Sequence, residues 1–263
     1  MNELQERDLA DLAALVADVR ALVEDSALRG VREEVQQLAA PGIAAPAAGH
    51  APAKGWHALA AEARAAEIPA GKQLERVRED LGDCRRCGLC KERRNIVFGV
   101  GDPDADLVVV GEAPGYHEDQ QAEPFVGPAG QMLDKMLENV IKLRRDQVYI
   151  LNVVKCRPPK NRNPEPDEIE ACRPYLEAQL AAIAPKVVLV LGSVAYRALF
   201  RTEAGIKRSR GRWHEHEVAP GRVVPAMPTF HPAYLRRQPD DKKLTFADLK
   251  AVVQRYDELG GRR

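Results

Sequence analysis

Apolar positions in the first stretch of the chain recur at helical gaps. Leu9, Leu12, Val16, Val19 and Val23 are spaced alternately by three and four residues, and Leu28, Val31, Val35 and Leu38 repeat the gaps in a shifted phase around Gly30. Such spacing collects apolar side chains on one helical face, so residues 1–38 read as a helical extension. Fewer than three heptads hold one phase. The pattern therefore fits an amphipathic helix or hairpin packed on its own domain, and also a surface for a protein partner or for self-association. Residues 39–55 (AAPGIAAPAAGHAPAKG) carry few large side chains, which is a linker composition. An Ala-rich helical stretch follows over 56–81. The expected division is an acidic extension over 1–38, a linker and helical lead-in over 39–75, and a main domain over 76–258.

From about residue 80 the texture changes. Short apolar runs rich in β-branched residues lie at 106–111 (DLVVVG), 147–154 (QVYILNVV), 186–192 (KVVLVLG) and 222–228 (RVVPAMP). Helical patterns lie between and after them, over 128–143, 166–183, 193–200 and 245–259. Apolar strands alternating with helices predict an α/β fold whose parallel sheet is covered on both faces. In such folds a ligand lies beyond the carboxyl ends of the strands. Three segments follow strand ends here: the one after Val110, the one around Asn152, and the one around His231.

Composition narrows the class without naming a function. Of 263 residues, 45% are hydrophobic and 30% charged, with 39 Lys+Arg balancing 39 Asp+Glu. That is ordinary for a globular protein, and the balance gives no whole-chain field toward nucleic acid or an anionic membrane. The balance is uneven along the chain. Residues 1–38 hold nine acidic against four basic residues, a net of −5, so the remainder carries +5. The excess lies in local runs: RSRGR at 208–212, LRR at 235–237, and the cations flanking the cysteines. No apolar run approaches the roughly 20 residues needed to cross a bilayer. The charged N-terminus lacks the apolar stretch of a secretory signal, so a cytoplasmic location is expected.

The five cysteines are clustered. Cys84, Cys87 and Cys90 lie in CRRCGLC, Cys156 in KCRPP, and Cys172 in the next helical pattern. A C-x2-C pair alone also fits a redox dithiol. Two more cysteines downstream allow a four-thiolate site, which zinc and an iron–sulfur cluster both accept. A zinc ribbon would normally show a second C-x2-C. Cys90 is the spare, since its removal disturbs the pattern least. Arg85, Arg86, Lys91, Arg93, Arg94, Arg157, Arg162 and Arg173 surround these cysteines in sequence, where they offset thiolate charge, contact phosphate, or simply face solvent.

The segment 111–133, GEAPGYHEDQQAEPFVGPAGQML, makes a Gly-Pro turn directly after a strand and leads into a helix through Gly127 and Gly130. Backbone approaches a ligand closely where glycine removes the side chain. Glu112, Glu118, Asp119 and Glu123 crowd the loop with carboxylates, which suits water positioning or cationic character better than a phosphate cradle. Phe125 is either a loop anchor or a stacking platform for a flat ring. Asn152 offers a donor and an acceptor for the imide edge of a pyrimidine, though an Asn also caps turns. His231 in TFHPAYLRR sits after a strand, and Asn161 lies in the Pro-rich PPKNRNP.

GEAPG, ED, PFVGPAG, LNVVKCRPPKNRNPEPDEIEAC and FHPAYLRR, in this order over about residues 80–256, resemble the family 4 uracil-DNA glycosylases. The resemblance does not cover residues 1–75. It implies a three-layer αβα domain with a central four-stranded parallel sheet. It also implies a [4Fe-4S] cluster on Cys84, Cys87, Cys156 and Cys172, with Cys90 outside. Residue by residue, it places the turn of Gly111, Ala113 and Gly115 under a flipped base, Phe125 on the uracil, and Asn152 at its edge. It makes His231 the donor to uracil O2, with HPAYLRR reaching the DNA backbone. Glu112, Glu118 and Asn161 match positions around the water and the C5 side of the pocket. The implied activity is monofunctional hydrolysis of the N-glycosidic bond of deoxyuridine in DNA, the first step of base excision repair.

Two residues depart from related patterns. Ala122 in QAEPFVG stands where the family usually has glycine. Ala113 stands where family 1 enzymes have Asp, so the water is positioned otherwise. No basic insertion follows Asn152, which favours hydrolysis over the covalent capture of a uracil-crosslinking relative. Two other readings differ in class. A non-catalytic DNA-binding module with an iron–sulfur or zinc centre needs the basic segments but not Phe125, Asn152 and His231 together. A scaffold of glycosylase ancestry would keep its function in the N-terminal helices.

Overall fold

The computed structural model describes residues 68–263. The extension over 1–38 and the linker over 39–55 lie outside the described residues, with the first part, 56–67, of the stretch 56–81. The first described helix, α1 (Ala70–Leu81), buries Leu74, Val77 and Leu81. The domain limit drawn at residue 76 falls inside this helix, and Leu74 already lies in the core.

The strands in chain order are β1 (Val100–Gly101), β2 (Leu107–Gly111), β3 (Tyr149–Asn152), β4 (Val187–Leu191), β5 (His214–Ala219) and β6 (Arg222–Thr229). The helices after α1 are α2 (Tyr116–Gln121), α3 (Pro128–Met136), α4 (Pro166–Ile183), α5 (Ser193–Phe200), α6 (Ile206–Ser209), α7 (Pro232–Arg237) and α8 (Lys242–Glu258). The sheet order is β1-β3-β2-β4-β6-β5. β3, β2, β4 and β6 run parallel, while β1 and β5 pair antiparallel at the two edges.

The expected four-stranded sheet is thus corrected to a mixed sheet of six among the described residues. The reason is local. β1 is two residues long and half-buried. β5 begins HEHE and alternates half-buried with exposed positions, as an edge strand does. Neither carries the apolar run that marks the inner strands.

Those inner strands are buried because helices cover both faces. The side-chain period of two sends Val108, Val110, Leu151, Val188 and Val190 into one core layer, with Val77 of α1, Tyr175 and Leu176 of α4 and Ala195 of α5. Leu107, Val109, Ile150, Leu189 and Met227 enter the other, with Leu133 and Met136 of α3 and Leu249, Val252 and Tyr256 of α8. The result is a helix–sheet–helix sandwich. The pattern over 128–143 resolves into α3 followed by a π-helical turn at Leu137–Ile141. No described helix is long and apolar enough to cross a membrane.

Candidate functional site

A cleft of about 560 Å³ opens at the carboxyl ends of the parallel strands. Its lining comes from the turn after β2, from the loop between β3 and α4, and from the start of α7.

Sheet register assembles its floor. Gly111 is the last residue of β2 and pairs with Asn152, the last of β3. A Cβ on Gly111 would stand 2.4 Å from Asn152 Oδ1 and 2.5 Å from Phe125 Cζ. The glycine is therefore required by what crowds in beside it. Asn152 is 1% exposed, and neither its amide nitrogen nor its amide oxygen finds a hydrogen-bond partner among the described residues. A buried amide without partners costs on the order of 1–3 kcal/mol, so the site holds two polar atoms suited to a group that the described residues do not supply.

Phe125 is buried at positive φ (54°), a conformation costly for an aromatic residue. Gly130, at the start of α3, leaves room for this loop, because a Cβ there would collide with the Phe125 carbonyl. The Phe125 ring lies 5.6 Å from that of His231, tilted by 32°. His231 follows β6, and a Cβ on Gly192 would meet its Cβ at 2.9 Å, so the residue after β4 must also be small.

His231 Nδ1 accepts the backbone N–H of Ala233 at 3.1 Å at the start of α7. That bond places the proton of the neutral ring on Nε2. Burial, with Arg237 nearby, pulls the imidazole down to about 4, so the ring is a neutral Nε2–H donor at pH 7.

The four loop carboxylates sort by partner. Asp119 accepts the backbone N–H groups of Arg94 and Asn95. Glu118 accepts those of Gly115 (3.1 Å), Val126 (3.0 Å) and Gly127 (2.9 Å), closing the loop on itself. Glu123 pairs with Arg145. Glu112 alone lines the cleft with no hydrogen bond or ion pair among the described residues. Burial pushes its carboxyl up to about 7. Ala113 and Gly115 line the cleft beside it, whereas Asn161 is exposed at the rim, its Oδ1 accepting from Arg157 Nε at 2.7 Å.

Four of the cysteines share one core layer. Cys156 and Cys172 are buried, and Cys84 and Cys87 pack against the same core layer; Cys90 is not among them. Cys156 Sγ accepts from Arg93 Nη1 at 3.2 Å, and Cys172 Sγ from the Lys155 backbone N–H at 3.3 Å. Arg86 reaches Cys84 Sγ at 3.6 Å. Arg173 instead binds Glu170 and the Ala198 carbonyl, and Arg85 binds Asp83. Burial pushes the Cys156 thiol up to about 12 and Cys172 to about 11, opposite to what an activated redox thiolate needs. Among the described residues no three His, Cys, Asp or Glu side chains converge on one metal ion.

Sequence reasoning missed Lys155. It is 1% exposed, and its ammonium donates to the Asn152 carbonyl at 2.7 Å. It lies between the base of the cleft and two of the thiols. Its place next to Cys156 in KCRPP was the available signal, but a lysine in a basic segment reads as surface.

The uracil-DNA glycosylase superfamily profile matches residues 98–254. The chain is 40% identical over 183 residues to a type-4 uracil-DNA glycosylase of Sulfurisphaera tokodaii, covering 68% of this chain and 83% of the relative. It is 42% identical over 185 residues to a type-4 uracil-DNA glycosylase of Archaeoglobus fulgidus (69% and 92%). A type-4 uracil-DNA glycosylase of Saccharolobus solfataricus is 37% identical over 185 residues (69% and 85%).

Proposed function

The chain belongs to the uracil-DNA glycosylase superfamily, and from that premise we infer that it removes uracil from DNA by hydrolysing the N-glycosidic bond, in DNA repair. The observation that carries the reading is the buried, unpartnered amide of Asn152. A uracil taken out of the stack loses its Watson–Crick partner, at a cost of a few kcal/mol. The Asn152 amide would supply a replacement, its Nδ2–H donating to O4 and its Oδ1 accepting from N3–H. In that orientation the pair mismatches the reversed donor and acceptor of cytosine. Phe125 would provide the new stacking surface.

In the reaction the bond between C1′ and N1 breaks and uracil leaves with the electron pair. Charge grows on its O2, where the neutral His231 would donate from Nε2, a term worth on the order of 10²–10³ in rate. The sugar gains oxocarbenium character and takes a water oxygen at C1′. Glu112 would hold that water and accept its proton, a role that its carboxyl near 7 fits. The products are free uracil and an abasic site. Glu118 supports this geometry from behind through its three backbone bonds, and Asn161 acts at the rim.

The four thiols Cys84, Cys87, Cys156 and Cys172 are the proposed ligands of a [4Fe-4S] cluster. The fit rests on their common layer and on the N–H donors at Cys156 and Cys172. In such a cluster each thiolate binds its own iron, so the sulfurs need not converge on one point. Bound there, the cluster would supply cross-links among three segments of the chain; the hydrolytic steps belong to the cleft.

The test incubates the purified full chain with a uracil-containing oligonucleotide and a thymine control, followed by alkali. Strand breaks are expected at uracil only, with His231→Ala slower by about 10²–10³-fold. No break on either substrate would defeat the reading, and would return the protein to a DNA-binding module.

A further inference from the structure

Tyr116 stands out as an exposed aromatic at a functional edge. It is the first residue of α2, directly after the Gly115 turn, and it lines the mouth of the cleft. It is 53% exposed, unlike the other aromatic of the cleft floor. The Arg157 guanidinium lies over its ring, 5.1 Å from the centroid. Arg157 comes from a different strand end, the loop after Cys156, so the pair bridges two walls of the opening. Asn161 Oδ1 holds Arg157 by its Nε at 2.7 Å. That fixes the plane of the fork, while its two terminal nitrogens make no hydrogen bond or ion pair among the described residues. The His117 ring meets Tyr116 only edge-to-face, 5.6 Å between centroids at 83°, so the half-exposed ring still offers surface to a flat partner, and a guanidinium with free terminal nitrogens suits a phosphate.

Resting on the reading of the cleft as a uracil site, we propose that Tyr116 and Arg157 form a holder for the nucleotide next to the flipped uridine. Tyr116 stacks on its base and Arg157 binds its phosphate. Nothing in the pair reads a hydrogen-bonding edge, so the holder accepts any base and requires only that the base be present. It also compensates for stacking lost when the uridine leaves the helix, on one side of the lesion and in single strands as well as duplex.

The test compares kcat/KM on three single-stranded oligonucleotides. One has normal neighbours around uracil. The others carry a tetrahydrofuran abasic residue in place of the 5′ or of the 3′ neighbour. The wild type is expected to lose about tenfold on one of the two, the size of one base–aromatic stack. In Tyr116→Ala that difference should fall below about twofold, while Tyr116→Trp restores it. Arg157→Met should lower the salt dependence of DNA binding by about one single-strand phosphate, a slope change of about 0.7. A Tyr116→Ala protein that melts like the wild type yet keeps the tenfold difference overturns the proposal. So does a wild type indifferent to both neighbours. Failure of the wild type to cut any uracil substrate would instead overturn the reading of the cleft.

Discussion

Four carboxylates lie within twelve residues of the loop after β2, and only their partners tell them apart. Asp119, Glu118 and Glu123 are consumed by backbone N–H groups or Arg145, which leaves Glu112 facing the cleft. That sorting was beyond the sequence, where all four look alike. Asn152 and His231 were legible because strand ends fix where they point; the orphan state of the amide and the ring's tautomer were not, since both depend on neighbours distant in sequence. The Glu112 carboxyl is raised from its ordinary value of 4.5 to about 7. The folded state therefore keeps a proton between these values that the unfolded chain releases. Its stabilising effect is complete below about pH 4.5 and is lost as pH rises through 7. Glu112→Gln lacks this dependence, so the melting temperature of the variant should gain on the wild type by about 5–10 °C between pH 5 and 8. Excision by the wild type should rise about tenfold per pH unit below 7 and level off above it. Glu112→Gln should be slower by about a hundredfold or more and flat with pH. His231 titrates near 4, outside this window. A wild-type rate that is flat from pH 5 to 8 would remove Glu112 from the role.

Elements were legible where their composition was extreme. The two central strands β2 and β4 are fully buried runs rich in β-branched residues. The edges were not, because β1 is too short and β5 too polar to look like a strand. The same scale explains Ala122. It closes α2 at φ 58°, the left-handed conformation that ends many helices and that glycine adopts freely. The usual glycine of family 4 fits that need, and alanine at this position carries a strain of about 1 kcal/mol. Part of the relief on substitution is offset by the greater freedom of glycine in the unfolded chain. Ala122→Gly should therefore raise the melting temperature by about 1–3 °C. Since Phe125 follows three residues later, the variant should keep uracil selectivity. An unchanged or lower melting temperature would show that the loop does not hold this strain.

At the scale of the molecule, the zero net charge conceals a division between an acidic 1–38 and a basic remainder, and the cations of the remainder have two destinations. Arg86 and Arg93 turn toward sulfur, while Arg157, Arg162, Arg236 and Arg237 surround or line the cleft. The four thiols lie on three parts of the chain: the segment after α1, the loop after β3 and helix α4. The proposed cluster, by cross-linking residues so far apart in sequence, would remove loop entropy worth about 3–5 kcal/mol, by the closure argument used for disulfides. Because Lys155 reaches from this region to the Asn152 carbonyl, loosening it should also be felt in the base site. The expected result is a brown protein whose visible absorbance, iron content and melting temperature survive Cys90→Ser. Cys172→Ser should lose iron and absorbance and melt about 10 °C lower or more. Its residual excision should suffer in KM for the oligonucleotide as well as in kcat, as the two walls of the cleft lose their common support. Zinc in place of iron would be read as a colourless protein with the same cysteine dependence, correcting the metal but keeping the ligands. Loss of metal in Cys90→Ser with retention in Cys172→Ser would overturn the ligand set itself.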